Sequence, residues 1–176
     1  MKRVLLAFLF PILFAAVASG AKPSASVLTK ASNDMMTGFK LYEEKRDYAA
    51  ARKHLEAAYD AGLRNGTLVF RLGYCKEKAS GDKTSAKELY KESLALFKAN
   101  PADAENYKKA YYNYGVLYYE LVNKTPDVED KIKLLMTAKR IWDEALAVHS
   151  NNEYVLDYYP KLETDLKRLE KNRHSR

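Results

Sequence analysis

The chain has 176 residues, 47% of them hydrophobic and 30% charged, which excludes a disordered polypeptide, and its 7 Gly and 5 Pro disfavour a turn-rich β fold. Lys and Arg outnumber Asp and Glu by 30 to 23, a formal charge of +7. Lys and Glu alternate along most of the chain, so the excess reads as solvated helix faces. No recognised nucleic-acid motif accompanies it, and nucleic acid is not an expected partner.

The N-terminus opens with Lys2 and Arg3, followed by an apolar run from Val4 to Val17 and small residues from Ala18 to Ala21. A positive start, an apolar middle and a small-residue exit are the three parts of a secretory signal peptide, expected over residues 1–21. Ala16-Val17-Ala18 and Ser19-Gly20-Ala21 both offer the spacing that signal peptidase accepts, and the choice stays open. The run is 14 residues long and contains Pro11. It is thus shorter than the ~20 residues of a membrane span. The expected location is the periplasm or the exterior, with tethering by an uncleaved signal anchor as the alternative. No cysteine follows the run, so a lipoprotein anchor is not expected.

From Val27 onward the apolar spacing is helical. Met35, Phe39 and Tyr42 recur at three and four residues, and so do Tyr48, Ala51, Leu55 and Ala58. The short polar break Lys45-Arg46-Asp47 makes these two helices an antiparallel hairpin. The hairpin recurs. Its second helix carries an alanine, a large residue four on and a small residue three after that: Ala51, Leu55, Ala58; then Ala86, Tyr90, Ser93; then Ala138, Trp142, Ala145. Small residues let two helices approach closely, and the large one fills the space between.

The first helices carry Leu72-Gly73 and Tyr114-Gly115, with Val69 and Tyr111 three residues ahead and Tyr118 three after Gly115. Together these motifs resemble the tetratricopeptide repeat (TPR), W-x2-L-G-x2-Y followed by A-x3-F and a small residue, over about residues 31 to 150. The departures are specific. The first unit has Gly38-Phe39 where Leu-Gly is usual, so its pair is expected to pack less tightly. The second has Lys76 at the Tyr slot, and its step from Gly73 to Ala86 is one residue longer than usual, which leans toward Sel1-like repeats. In the third, Gly115 and Ala138 are 23 residues apart, read as two lengthened helices joined by a turn near Asn123 to Thr125.

A last helical pattern, Val155, Tyr158, Leu162, Leu166 and Leu169, contains Pro160, expected to kink or restart it. The resemblance therefore implies an all-α fold, a short right-handed superhelix of about three TPR-like hairpins over residues 27–150. A C-terminal capping helix over 151–172 and a basic tail over 173–176 follow. The Lys-rich end reads as a solvated helix end, with an anionic envelope surface as the other partner it would suit.

In that family the first helices line a concave face. Carried onto this chain, the resemblance implies a partner-binding groove at Met36 and Lys40 in the first unit. In the second unit it implies Phe70, Tyr74, Glu77 and Lys78, and in the third Tyr112, Val116, Tyr119 and Glu120. The spacing supports this in one respect. Tyr107, Tyr111, Tyr114 and Tyr118 share a stripe best explained as core, while Tyr112 and Tyr119 share another face. Those two either pack on a neighbouring helix or, with Phe70 and Tyr74, offer an aromatic groove to a peptide.

Catalytic chemistry is not expected. No metal-binding His pair, Gly-rich phosphate loop or nucleophile elbow occurs, and neither a cofactor nor a metal site is expected. Glu43-Glu44 and Asp127, Glu129 and Asp130 sit in polar stretches. The lone Cys75 excludes an intramolecular disulfide and reads as a small buried hydrophobe. The expected function is an exported protein-interaction or scaffold module of the cell envelope, binding a protein or peptide. The alternative is a periplasmic accessory subunit for a small molecule or an anionic envelope polymer.

Overall fold

A computed structural model describes residues 23–174. The expected signal peptide lies outside these residues, as does the end of the basic tail. Seven α-helices follow one another, with no strand among the described residues: α1 Ala25–Lys40, α2 Tyr48–Asp60, α3 Gly66–Ser80, α4 Lys83–Ala99, α5 Ala104–Leu121, α6 Val128–Val148 and α7 Glu153–His174. A π-helical turn, Leu41–Lys45, extends α1, and a 3-10 turn, Val122–Lys124, extends α5.

The boundaries have local causes. Ser24, Asp47, Asn65, Asp82, Asp103 and Asp127 each cap a helix, the side-chain oxygen accepting from the backbone N–H three residues on. Each such cap stabilises its helix by about 1 kcal/mol. Gly81 ends α3 in the left-handed region at φ 66°, and Arg46 ends the π-helical turn at φ 52°. Pro160 does not restart the last helix, which runs unbroken through it. The carbonyl that Pro160 leaves unbonded belongs to Leu156, an exposed residue, so water can reach it. The C-terminal helix therefore covers 153–174 rather than 151–172.

The helices pack as adjacent pairs, α1 with α2, α3 with α4 and α5 with α6. This is an all-α, repeat-like fold. Each pair also packs on the next: α3 rests on α2, α5 on α4 and α3, and α7 on α6 and α5. The helix α7 thus sits where the first helix of a fourth pair would.

The repeating triplets are the centre of this packing. All nine residues, Ala51, Leu55, Ala58, Ala86, Tyr90, Ser93, Ala138, Trp142 and Ala145, are fully buried. In each pair a first-helix glycine abuts the large member of the triplet: Gly38 on Leu55, Gly73 on Tyr90 and Gly115 on Trp142. A Cβ on Gly38 would lie 2.6 Å from Leu55, so the first pair crosses as closely as the others despite its altered motif. Two buried clusters result. One joins α1, α2 and one side of α3 and α4, through Leu68, Val69, Leu72, Cys75 and Leu89. The other joins Phe70 with the helices from α4 to α7. No helix among the described residues is long and apolar enough to cross a membrane.

Candidate functional site

The residues expected to line a groove divide into three groups. Phe70 and Glu77 are corrected to the interior. Phe70 is fully buried with its ring 5.9 Å from that of Tyr90. Glu77 accepts a 2.8 Å hydrogen bond from the Tyr90 hydroxyl and pairs with Lys78 at 2.5 Å. A partner cannot reach either without opening α3.

The second group packs against other side chains and is half-buried, apart from Lys78, which is exposed. Tyr74 meets the edges of Tyr42 and Tyr48 at 5.5 and 5.2 Å, and Lys78 sits 5.5 Å from the centre of its ring. Tyr112 packs on Trp142, on Tyr154 at 5.9 Å and on Tyr158 at 5.2 Å. Tyr119 lies 6.3 Å from Trp142, and its hydroxyl donates to Asp165. Val116 packs on the same core, and Glu120 is paired with Lys83. Since Tyr154, Tyr158 and Asp165 belong to α7, that helix covers the face on which an aromatic groove was expected. Burial, with the Tyr158 and Asp165 contacts, raises the phenols of Tyr112 and Tyr119 above their ordinary range.

The third group, Met36 and Lys40, remains accessible, and Met36 is 61% exposed. Both line a cleft of about 970 Å³ between α1 and the ends of α3, α4 and α5. Met35, Met36 and Phe39 form its α1 wall, and Leu96 and Phe97 form the facing apolar surface from α4. Asn65, Thr67 and Asp103 come from the starts of α3 and α5. Thr67 and Asp103 hold each other in place. Thr67 donates to Asp103 at 2.7 Å, as does the Asn106 amide. Burial alone would push the Asp103 carboxyl up, but the bonds from Asn106 and Thr67 outweigh it and hold the group below its usual range. The Asn65 amide donates to the Met35 sulfur at 3.4 Å, tying α3 to α1.

Two arginines line the cleft, in different conditions. Arg64 is engaged elsewhere: it pairs with Glu92 at 3.3 Å, donates to the Leu63 carbonyl at 2.9 Å and lies 3.3 Å over the Tyr59 ring. Arg71 is 6% exposed. Its guanidinium lies 4.2 Å from the centre of the Phe39 ring and 5.3 Å from that of Tyr42. One nitrogen, Nη2, donates to Glu43 on the π-helical turn, while the buried Nε has no hydrogen-bond partner.

Arg71, Phe39 and Glu43 were not among the residues expected from sequence. The available signal was a charged residue inside the apolar run Leu68-Val69-Phe70-Arg71-Leu72, since a buried cation requires a partner. No group of three or more His, Cys, Asp or Glu among the described residues is placed to hold a metal ion. Cys75 is fully buried, and burial pushes its thiol up to about 12. A thiol so placed is a packing group and a poor nucleophile.

Compared with known proteins, the chain matches no protein-family model, and no curated protein matches it.

Proposed function

We propose that this is an exported, TPR-like scaffold module that holds a segment of a partner protein and performs no chemistry of its own. The observation that carries this reading is the open cleft between the first two helix pairs. Its apolar walls carry the exposed Met36 and the half-buried Met35, Phe39 and Leu96, with the buried Phe97 beneath, beside a rim of polar and charged groups. A cavity mostly apolar with a few placed polar groups is what a bound side chain requires. The paired packing and the glycine-to-large-residue contacts support the TPR-like assignment, and export rests on the character of residues 1–21.

The experiment is site-specific photo-crosslinking in the native envelope. A crosslinking residue replaces Met36 at the cleft or Met136, which is 55% exposed on α6. Adducts with one discrete protein from position 36 and none from position 136 support the reading. Equal labelling from both positions, or none from either, removes it.

A second reading is favoured by the cleft's size. About 970 Å³ falls within the roughly 300–1,000 Å³ of small-molecule sites. An accessory subunit that binds a small molecule or an anionic envelope polymer would gain thermal stability from a protein-free envelope extract. The scaffold would not.

A further inference from the structure

The bonding of Arg71 is incomplete in a particular way. The Nε–H and one Nη2–H of a guanidinium lie parallel along one edge, the edge that a single carboxylate grips with both oxygens. In Arg71 that edge is half filled. Glu43 takes Nη2, and Nε, buried beside it, has nothing. A buried donor without an acceptor is unfavourable, more so on a charged group. The rest of the guanidinium is held in place, because the Arg71 side chain is 7% exposed and lies over the Phe39 and Tyr42 rings. Glu43 is not fixed. Its side chain is 57% exposed, and it comes from the π-helical turn that ends at left-handed Arg46. Single π-helical turns within α-helices recur at functional sites.

The surroundings select among anions. A free inorganic anion would satisfy the edge but leave the apolar walls, including the exposed Met36, in contact with water. A nucleic acid or anionic membrane requires an array of unpaired cations, whereas the cleft offers the single exposed Lys40, with Arg64 already paired and Glu43, Glu44 and Asp103 beside it. An acidic side chain flanked by apolar ones satisfies both the edge and the walls.

We infer that the cleft recognises an acidic residue of an extended partner segment. Its carboxylate accepts from both Nε and Nη2 of Arg71 and displaces Glu43, and its apolar neighbours lie on Met36, Phe39 and Leu96. This rests on the peptide-holding reading above and assigns its specificity. Glu43 is then a stand-in ligand that keeps the buried guanidinium paired while the cleft is empty.

The test selects short linear peptides, displayed on phage with no free C-terminus, against the whole protein. Enriched sequences are synthesised with both ends blocked and titrated by fluorescence anisotropy. Enrichment of one acidic residue beside apolar ones is expected. Changing that residue to its amide should weaken binding about 30-fold or more, as for other truncated buried charge pairs. Arg71→Lys should weaken the acidic peptide comparably and leave the amide peptide unchanged. Glu43→Gln, which removes the charge but keeps an acceptor for Nη2, should tighten the acidic peptide about three- to tenfold by weakening the competitor. Selected peptides that ignore both the acid-to-amide change and Arg71→Lys would overturn the inference while leaving a peptide-holding cleft. Weaker binding by Glu43→Gln would overturn the displacement. Recovery of no peptide at all would remove the peptide-holding reading with it.

Discussion

Gly115 and Trp142 approach so closely that a Cβ on the glycine would stand 2.1 Å from the indole Nε1. The indole N–H donates to the Tyr112 carbonyl at 3.3 Å, which ties the ring to the same helix. Trp142 is fully buried and rigid, so it cannot yield. Gly115→Ala is therefore expected to lower stability by about 2 kcal/mol despite alanine's better helix propensity. Gly73→Ala, whose Cβ would meet Leu89 and Tyr90 at 3.1 Å, should be the milder change. Urea unfolding followed by circular dichroism ranks the two variants.

Tyr112 and Tyr119 are predicted to act on stability through α7. Tyr119→Phe removes only the hydroxyl that donates to Asp165 and should lose about 1 kcal/mol. Tyr112→Ala removes ring contacts with Trp142, Tyr154 and Tyr158 and should lose about 2 kcal/mol. Limited proteolysis should then cut within α7 before the helix pairs. If α7 stays as protected as in the parent, the covering role assigned to it is wrong.

Alkaline pH should unfold the protein cooperatively. Burial raises the phenols of Tyr42, Tyr90 and Tyr111 and pushes the Cys75 thiol up to about 12. The unfolded chain releases these protons from about pH 9 upward, while the folded chain retains them. The folded state thus binds more protons, so its stability falls as pH rises. The contribution is complete below about pH 9 and is lost progressively toward pH 12. Phenolate absorbance and alkylation of Cys75 should both appear together with the loss of helicity. Alkylation of Cys75 at neutral pH with helicity intact would contradict its burial.

Asp127 starts α6 by accepting from the Asp130 N–H at 2.9 Å. Asp127→Ala should cost about 1 kcal/mol. The loss should be confined to the α5–α6 connection, measured as faster amide exchange from Val128 to Lys131. Asp127→Asn, which keeps the acceptor, should behave like the parent.

The helix pairs were legible because their determinants are local. The triplets headed by Ala51, Ala86 and Ala138 record which side of each second helix is buried, and all nine members are fully buried. The turn expected near Asn123 to Thr125 follows from Pro126 and the Asp127 cap, and it lies between α5 and α6. The candidate groove was less legible for a geometric reason. Periodicity reports an angle around one helix axis, not which neighbour lies at that angle. Phe70 meets Tyr90 of its own pair partner α4, and Tyr112 meets both Trp142 of α6 and Tyr158 of α7, so both are packed rather than free surface. Met36 and Lys40 escaped this because α1 has no pair before it among the described residues. Arg71 depends on two separated segments, α3 and the α1 segment whose π-helical extension carries Glu43 beyond Phe39, and spacing along one helix cannot show such a meeting.

Two interiors that share α3 and α4 give the molecule a seam. Val69 and Leu72 face one side of it and Phe70 the other, so the α1–α2 pair can melt without disturbing the packing around Trp142. The cleft straddles that seam, with Met35 and Phe39 from the first interior and Phe97 from the second. An occupant would act as a clip across the two. Its grip would show as slower hydrogen exchange in α1 and α2, far more than in α6, so the thermal fraying of one end of the chain becomes a gauge of occupancy.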